Sequence, residues 1–248
     1  MMRRWFLLLL PLCAVALVAA LLPPFPQPQE YYRFADARTF LGVPNFLDVV
    51  SNVAFFAVAA LGLFELRSVS FSDAKERWPY ALFFVALAAT TFGSAWYHLA
   101  PDNTRLFWDR LPINLCFAAL LSTVIAERCN VGAALLLMLP LEAMGAGTAW
   151  YWLRSEELGV GNVLPYFAFQ LDMLIAILLL MRMFPPRYSR GADLYRVILL
   201  YGAALTAELL DRQIFALGGI VSGHTLKHLL AALAAYQLVR MLRLRKRI

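Results

Sequence analysis

Charge is scarce in this chain. Asp, Glu, Lys and Arg make up 15% of its 248 residues, where a soluble domain of this length carries about 25%. That shortage excludes an ordinary water-soluble fold. A basic face carried on a soluble fold is also missing, which excludes a nucleic-acid-binding module. Cysteine is limited to Cys13, Cys116 and Cys129. Their odd number and irregular spacing exclude a disulfide framework or a cysteine metal site, and leave them as packing residues. Histidine is rarer in proportion to its usefulness: His98, His224 and His228 are the only three. The chain has no internal repeat, no low-complexity tract and no linker long enough to separate a second domain.

What it has is apolar sequence. Hydrophobic residues make up 62%, gathered in blocks of about 18–22 residues, the length that crosses a bilayer core of roughly 30 Å. Helices satisfy their own backbone hydrogen bonds in lipid, so the expected fold is an all-α, polytopic transmembrane helix bundle. Eight apolar helices are expected, at 5–22, 46–66, 79–99, 111–126, 131–152, 162–182, 194–210 and 221–241. Pro23, Pro24, Pro26 and Pro28 end the first, and Pro185 and Pro186 follow the sixth. Residues 1–22 read as an N-terminal transmembrane anchor or a signal sequence cut after Ala20. The length of the apolar run favours the anchor. Residues 23–248 then form one domain with a seven-helix core.

Basic residues give the orientation. With the N-terminus in the cytoplasm, 15 of the 22 Lys and Arg fall in inside segments and 6 in outside ones, with Lys227 inside the last helix. The basic C-terminus, Arg243, Arg245, Lys246 and Arg247, then sits beside anionic lipid. Both termini are expected in the cytoplasm.

Ionisable residues within spans are costly and mark candidate sites. His98 ends the third helix on the outer side, and Ser94 lies one turn earlier on the same face. Asp109 begins the fourth helix, Asp211 closes the seventh, and His224 and His228 open the eighth with i, i+4 spacing. All three histidines therefore reach similar depth. Each alone reads more readily as a hydrogen-bonded packing residue than as a ligand, and the His224/His228 pair alone favours neither. Together, three imidazoles plus one open position are a common catalytic zinc set, although iron, copper or nickel suits the same ligands. Zinc lowers the pKa of bound water to about 7 and polarises carbonyls. Asp109 is the candidate proton acceptor, and Ser94 the candidate hydroxyl for the oxyanion or the water.

At these residues the sequence resembles the alkaline ceramidases, within the superfamily that also contains the progestin/adipoQ receptors. Gly93-Ser94-Ala95-Trp96-Tyr97-His98 is similar to that family's Gly-Ser-x-x-Phe-His. Asp109-Arg110-Leu111-Pro112-Ile113 is similar to its Asp-Glu-Leu-Pro-Met. His224-Thr225-Leu226-Lys227-His228 matches its final-helix His-x-x-x-His, and Ser51-Asn52 its Ser-Asn pair. The resemblance covers the second to eighth helices. It implies a seven-helix core, zinc held by His98, His224 and His228, and the roles above for Ser94 and Asp109. It also implies an oxyanion-stabilising tyrosine, which Tyr166 at the outer end of the sixth helix can supply. Tyr166 can equally belong to an interfacial aromatic belt, as Trp150, Tyr151 and Trp152 are expected to do. The family's acidic calcium motif is altered to Tyr31-Tyr32-Arg33-Phe34-Ala35-Asp36. Asp36, Asn45 and Asp48 remain as oxygen donors for Ca2+, and Arg33 and Arg38 argue against a strong site.

Glu208 and Asp211 are read either as orienting a histidine ligand or as interhelical hydrogen bonds, and Glu142 and Asp172 as pairing with polar neighbours or lining a cavity. Gly145 and Gly147 are expected to permit close helix approach. Lys227 is expected to snorkel outward or to meet a lipid headgroup.

Three functions follow as expectations. The first, implied by the resemblance, is a zinc-dependent hydrolase that cleaves the amide bond of ceramide or another N-acyl membrane lipid and releases a fatty acid. The second is a lipid-sensing, receptor-like protein that binds metal and lipid without turnover. The third is a transporter or structural bundle in which the histidines do not converge.

Overall fold

The computed structural model describes residues 2–248. Met1, and the side chains of Arg3 and Arg4 counted among the basic N-terminal residues, lie outside the described ones. Every regular element described is helical: α1 (Met2–Leu21), α2 (Phe46–Val50), α3 (Val53–Glu65), α4 (Arg77–Leu99), α5 (Asn103–Arg128), α6 (Val131–Glu157), α7 (Leu164–Met183), α8 (Asp193–Leu209), α9 (Asp211–Gly218) and α10 (Gly223–Leu244), with two short 3-10 turns. A helix lies at each of the eight expected positions, but not all of them pass as membrane spans among the described residues. Five stretches are long and apolar enough to cross a membrane: Phe46–Glu65, Ala74–Leu99, Asn103–Arg128, Val131–Glu157 and Leu164–Met183. The helix α10 passes that test only together with α9, from which it is bent by 110°. Leu136, Leu139 and Leu199 are 70–76% exposed, a surface that water tolerates poorly and lipid accepts.

Local chemistry starts the helices. Asp102 accepts from the Arg105 amide at 2.7 Å, Asn130 from Ala133 at 2.9 Å, and Ser222 from Thr225 at 3.0 Å. Each side chain satisfies one of the donors that a helix start leaves open. The Asp102 cap places the start of α5 eight residues ahead of the apolar run, so Asp109 and Arg110 lie inside a helix instead of at its first turn. Gly219, at φ +63°, closes α9 in the left-handed conformation. The small helix α9 was not expected, because its polar first turn and eight residues carry no apolar block.

In packing order, α10 lies on α3, α3 on α4, α4 on α5 and α5 on α7, with α8 against α10, α6 outside α5 and α1 outside α7. The helices α7 and α8 barely touch each other. The core between them is built from Phe55, Phe84, Phe117, Ile177 and Leu238.

Two glycines fix the crossings that matter. A Cβ on Gly93 would collide with the backbone carbonyl of Trp108 on α5. That carbonyl lies four residues before Pro112, which has no N–H to give it. The proline thus frees the carbonyl, and the glycine lets α4 close onto it with Ser94 next to Asp109. Likewise Gly223 sits against the Ala207 carbonyl and the Asp211 backbone, which seats α10 on the end of α8. Gly145 packs on Phe169 and Asn114 as expected, but nothing lies within 4 Å of a Cβ at Gly147, which faces open space. Trp152 also differs from expectation: it is wholly buried beside Tyr97 and Tyr166, whereas Trp150 and Tyr151 are exposed. A helix carries adjacent residues about 100° apart, so one aromatic of three turns inward.

Gly93→Ala is expected to lower the thermal midpoint in detergent by several degrees, as overpacking costs about 1–3 kcal/mol. Gly147→Ala should leave it unchanged or raise it. Equal midpoints for Gly93→Ala and wild type would refute the crossing described here.

Candidate metal centre

The backbone chemistry above delivers three imidazoles to one place. His98 is the next-to-last residue of α4, and His224 and His228 share a face of α10 one turn apart. All three are buried. Their ring centroids are 4.6, 4.8 and 5.0 Å apart, and Nε2 of His98 lies 3.2 Å from Nε2 of His224. One nitrogen from each ring falls within 4.8 Å of the others. Tetrahedral zinc with bonds of about 2.1 Å needs its nitrogens roughly 3.4 Å apart, so the donor set fits a small divalent cation. The geometry does not select one metal over another. The histidines converge, contrary to what an incidental scatter of polar residues requires.

Two of the three remaining ring nitrogens are tied back, while Nδ1 of His98 has no hydrogen-bond partner among the described residues. Nδ1 of His228 meets the Ser51 hydroxyl at 2.8 Å. Nδ1 of His224 meets Glu208 Oε1 at 3.2 Å. Such contacts set the tautomer and aim the opposite nitrogen at the metal position. Phe34 covers His98 and His224, with ring centroids 4.7 and 5.2 Å away, and Phe55 lies beside His228 at 5.8 Å. Asp211 accepts from the backbone N–H of His224 at 2.8 Å and from Ala35 at 3.1 Å. It therefore caps α10 and pins the segment that carries Phe34, and does not touch an imidazole ring. Buried Asp48 accepts from Thr225 at 2.6 Å and from Ser222 at 3.1 Å, holding α2 against the same helix start.

Ser94 and Asp109 are both buried, and the serine side chain lies beside the carboxylate. Together with His228 and Lys227 they form the polar end of a cavity of about 440 Å³. Its walls are apolar, with Phe83, Leu87, Phe117, Leu120 and Val197 among them. Residues of both α7 and α8 line it, so the loosely packed seam between those helices flanks the cavity. Tyr166 lines the cavity as well and is hydrogen-bonded to Gln170.

Lys227 turns inward, not outward. Its Nζ lies 2.5 Å from Glu208 Oε2 and 3.0 Å from His224 Nε2. A buried carboxylate across the helix interface attracts it more strongly than distant water. Its ammonium shares the lone pair that His224 would give a metal, and Glu208 offsets that charge.

The expected calcium donors are employed elsewhere. The Arg38 guanidinium, hydrogen-bonded to both oxygens of Asp36 at 2.7 Å, holds that carboxyl below the ordinary carboxylate range. Asn45 donates to the carbonyl of His98 at 2.8 Å, and Asp48 holds α10 through Oδ1, its buried Oδ2 having no hydrogen-bond partner among the described residues. Glu142 and Asp172 are absent from the cavity lining, and each has a carboxylate oxygen without a hydrogen-bond partner among the described residues. The role of Ser51 was not foreseen. Its partner is 177 residues away, and only the Ser51-Asn52 pairing hinted at it.

No family model, curated protein or solved structure matches the chain.

The anchoring of the imidazoles predicts metal affinity. Ser51→Ala and Glu208→Gln are each expected to weaken it by about 10–100-fold, measured by competition with a graded chelator. Unchanged affinity in both variants would show that these contacts do not orient ligands.

Proposed function

We propose that this chain is a zinc-dependent hydrolase of membrane lipid amides, with ceramide or a related N-acyl lipid as substrate and a fatty acid as product. The observation that carries the reading is a cluster of three buried imidazoles, one of which, His228, lines an apolar cavity together with Ser94 and Asp109. The motif resemblance to the alkaline ceramidases supports the same choice of metal and reaction.

The acyl chain lies along the apolar walls, which exclude water from everything but the polar end. The amide carbonyl sits between the histidine cluster and Asp109. Bound zinc supplies acidification of water and polarisation of a carbonyl. Asp109 takes a proton from the attacking water at its carboxylate oxygen while the water oxygen bonds to the carbonyl carbon. Ser94, which lies beside Asp109, orients its carboxylate. Tyr166, from the cavity wall, donates to the carbonyl oxygen as it gains negative charge. When the C–N bond breaks, Asp109 returns the proton to the departing amine. The fatty acid keeps the water oxygen.

In this reading the chain is an integral membrane protein with both termini in the cytoplasm and the histidine cluster toward the outer face. The support is the distribution of Lys and Arg and the position of the histidines at the end of the bundle opposite the basic C-terminus.

Purified protein is expected to release fatty acid from an N-acyl lipid panel, as read by mass spectrometry, and chelator should abolish the release. Asp109→Asn should lower kcat by about 10²–10⁴-fold with the metal still bound. Metal-loaded protein that hydrolyses no lipid amide would sink the proposal and leave a binding protein.

A further inference from the structure

The cavity contains a second cation that forms no ion pair among the described residues. Arg110 follows Asp109 on α5, lines the same cavity and is only 3% exposed. Its Nη2 donates to Gln27 Oε1 at 2.5 Å. Its Nη1 has no hydrogen-bond partner, and no carboxylate ion-pairs with it among the described residues. Aromatic rings enclose it instead: Trp152 at 4.2 Å, Tyr166 at 4.9 Å, Tyr31 at 5.6 Å and Phe167 at 5.8 Å from the guanidinium carbon. Ring faces attract a cation, but they give its N–H groups no acceptor in the ring plane. A buried charge ordinarily comes with a counter-ion.

The other cation in the cavity is already committed, since Lys227 is paired to Glu208 at 2.5 Å. Arg110 is therefore the free one. It is enclosed by its aromatic walls, and its planar fork suits a carboxylate. The motif that this stretch resembles has a glutamate at the corresponding position, so the sign of the charge is reversed here.

We propose that Arg110 recognises the substrate headgroup, and that the substrate is an amide lipid whose amine part carries a carboxylate, an N-acyl amino acid, in preference to a neutral N-acyl alcohol. The acyl chain occupies the apolar walls, the amide faces Asp109, and the headgroup carboxylate accepts from the guanidinium of Arg110. This specificity rests on the hydrolase reading for its chemistry, but its binding step does not.

The test compares N-oleoylglycine with N-oleoylethanolamine, two amides of equal chain length that differ in headgroup charge. Wild-type protein is expected to favour the glycine conjugate at least tenfold in kcat/KM. Arg110→Gln should remove that preference mainly through KM. Gln27→Ala takes away the one protein hydrogen bond of Arg110 but not its charge, and should keep the preference. A wild-type enzyme that favours the ethanolamide would overturn the proposal and leave the hydrolase reading standing. So would an equal fall for both substrates in Arg110→Gln, which marks a structural role. Equilibrium binding of the two radiolabelled lipids separates the ideas if neither is hydrolysed. Tighter binding of the glycine conjugate, lost in Arg110→Gln, supports headgroup recognition without turnover, and equal binding overturns it. Oleate, a carboxylate without the amide headgroup, should compete at least tenfold more weakly, and equal competition would place the recognised anion on the free fatty acid.

Discussion

Two backbone carbonyls touched by two glycines hold the candidate site together. Trp108 offers its carbonyl because Pro112 cannot bond to it, and Gly93 leaves the space to reach it. Ala207 and Gly223 make the corresponding contact between α8 and α10. Without side chains in the way, helices can approach closely, and in lipid such packing replaces the hydrophobic drive that water would supply. The first contact sets Ser94 beside Asp109 and sends α4 on to His98. The second sets the first turn of α10 and with it both remaining histidines.

Around these crossings the polar groups form a closed set. Ser222 caps α10, Asp48 accepts from Ser222 and Thr225, and Asp211 accepts from His224. Each of these bonds fixes the start of the helix that carries two imidazoles, and those of Ser222 and Asp48 are buried, where an unmade hydrogen bond costs most. Ser51 and Glu208 then fix ring orientation. Positions in the helices give the ligands; contacts from three other helices give them direction.

The charges of the cavity divide into two kinds. Lys227 and Glu208 neutralise each other next to His224. Asp109 lies beside Ser94. Among the described residues that line the cavity, Arg110 keeps a guanidinium N–H group without a hydrogen-bond partner. A cavity with apolar walls and one cation outside any ion pair suits an amphiphile better than a wholly neutral lipid.

Much of this was legible in the sequence because the membrane simplifies the problem. A bilayer demands long apolar helices, so eight segments could be located from hydropathy, and the placement of Lys and Arg brought His98, His224 and His228 to one depth. The i, i+4 spacing put two of them on one face by helix geometry alone. Depth and face say nothing about rotation of one helix against another. That is decided by packing, through Gly93 on Trp108 and Gly223 on Ala207. For the same reason the inward turn of Lys227, the burial of Trp152, the partnership of Ser51 with His228 and the unpaired Arg110 could not be read from spacing. Each depends on which side chain lies across an interface, and only the assembled helices fix that.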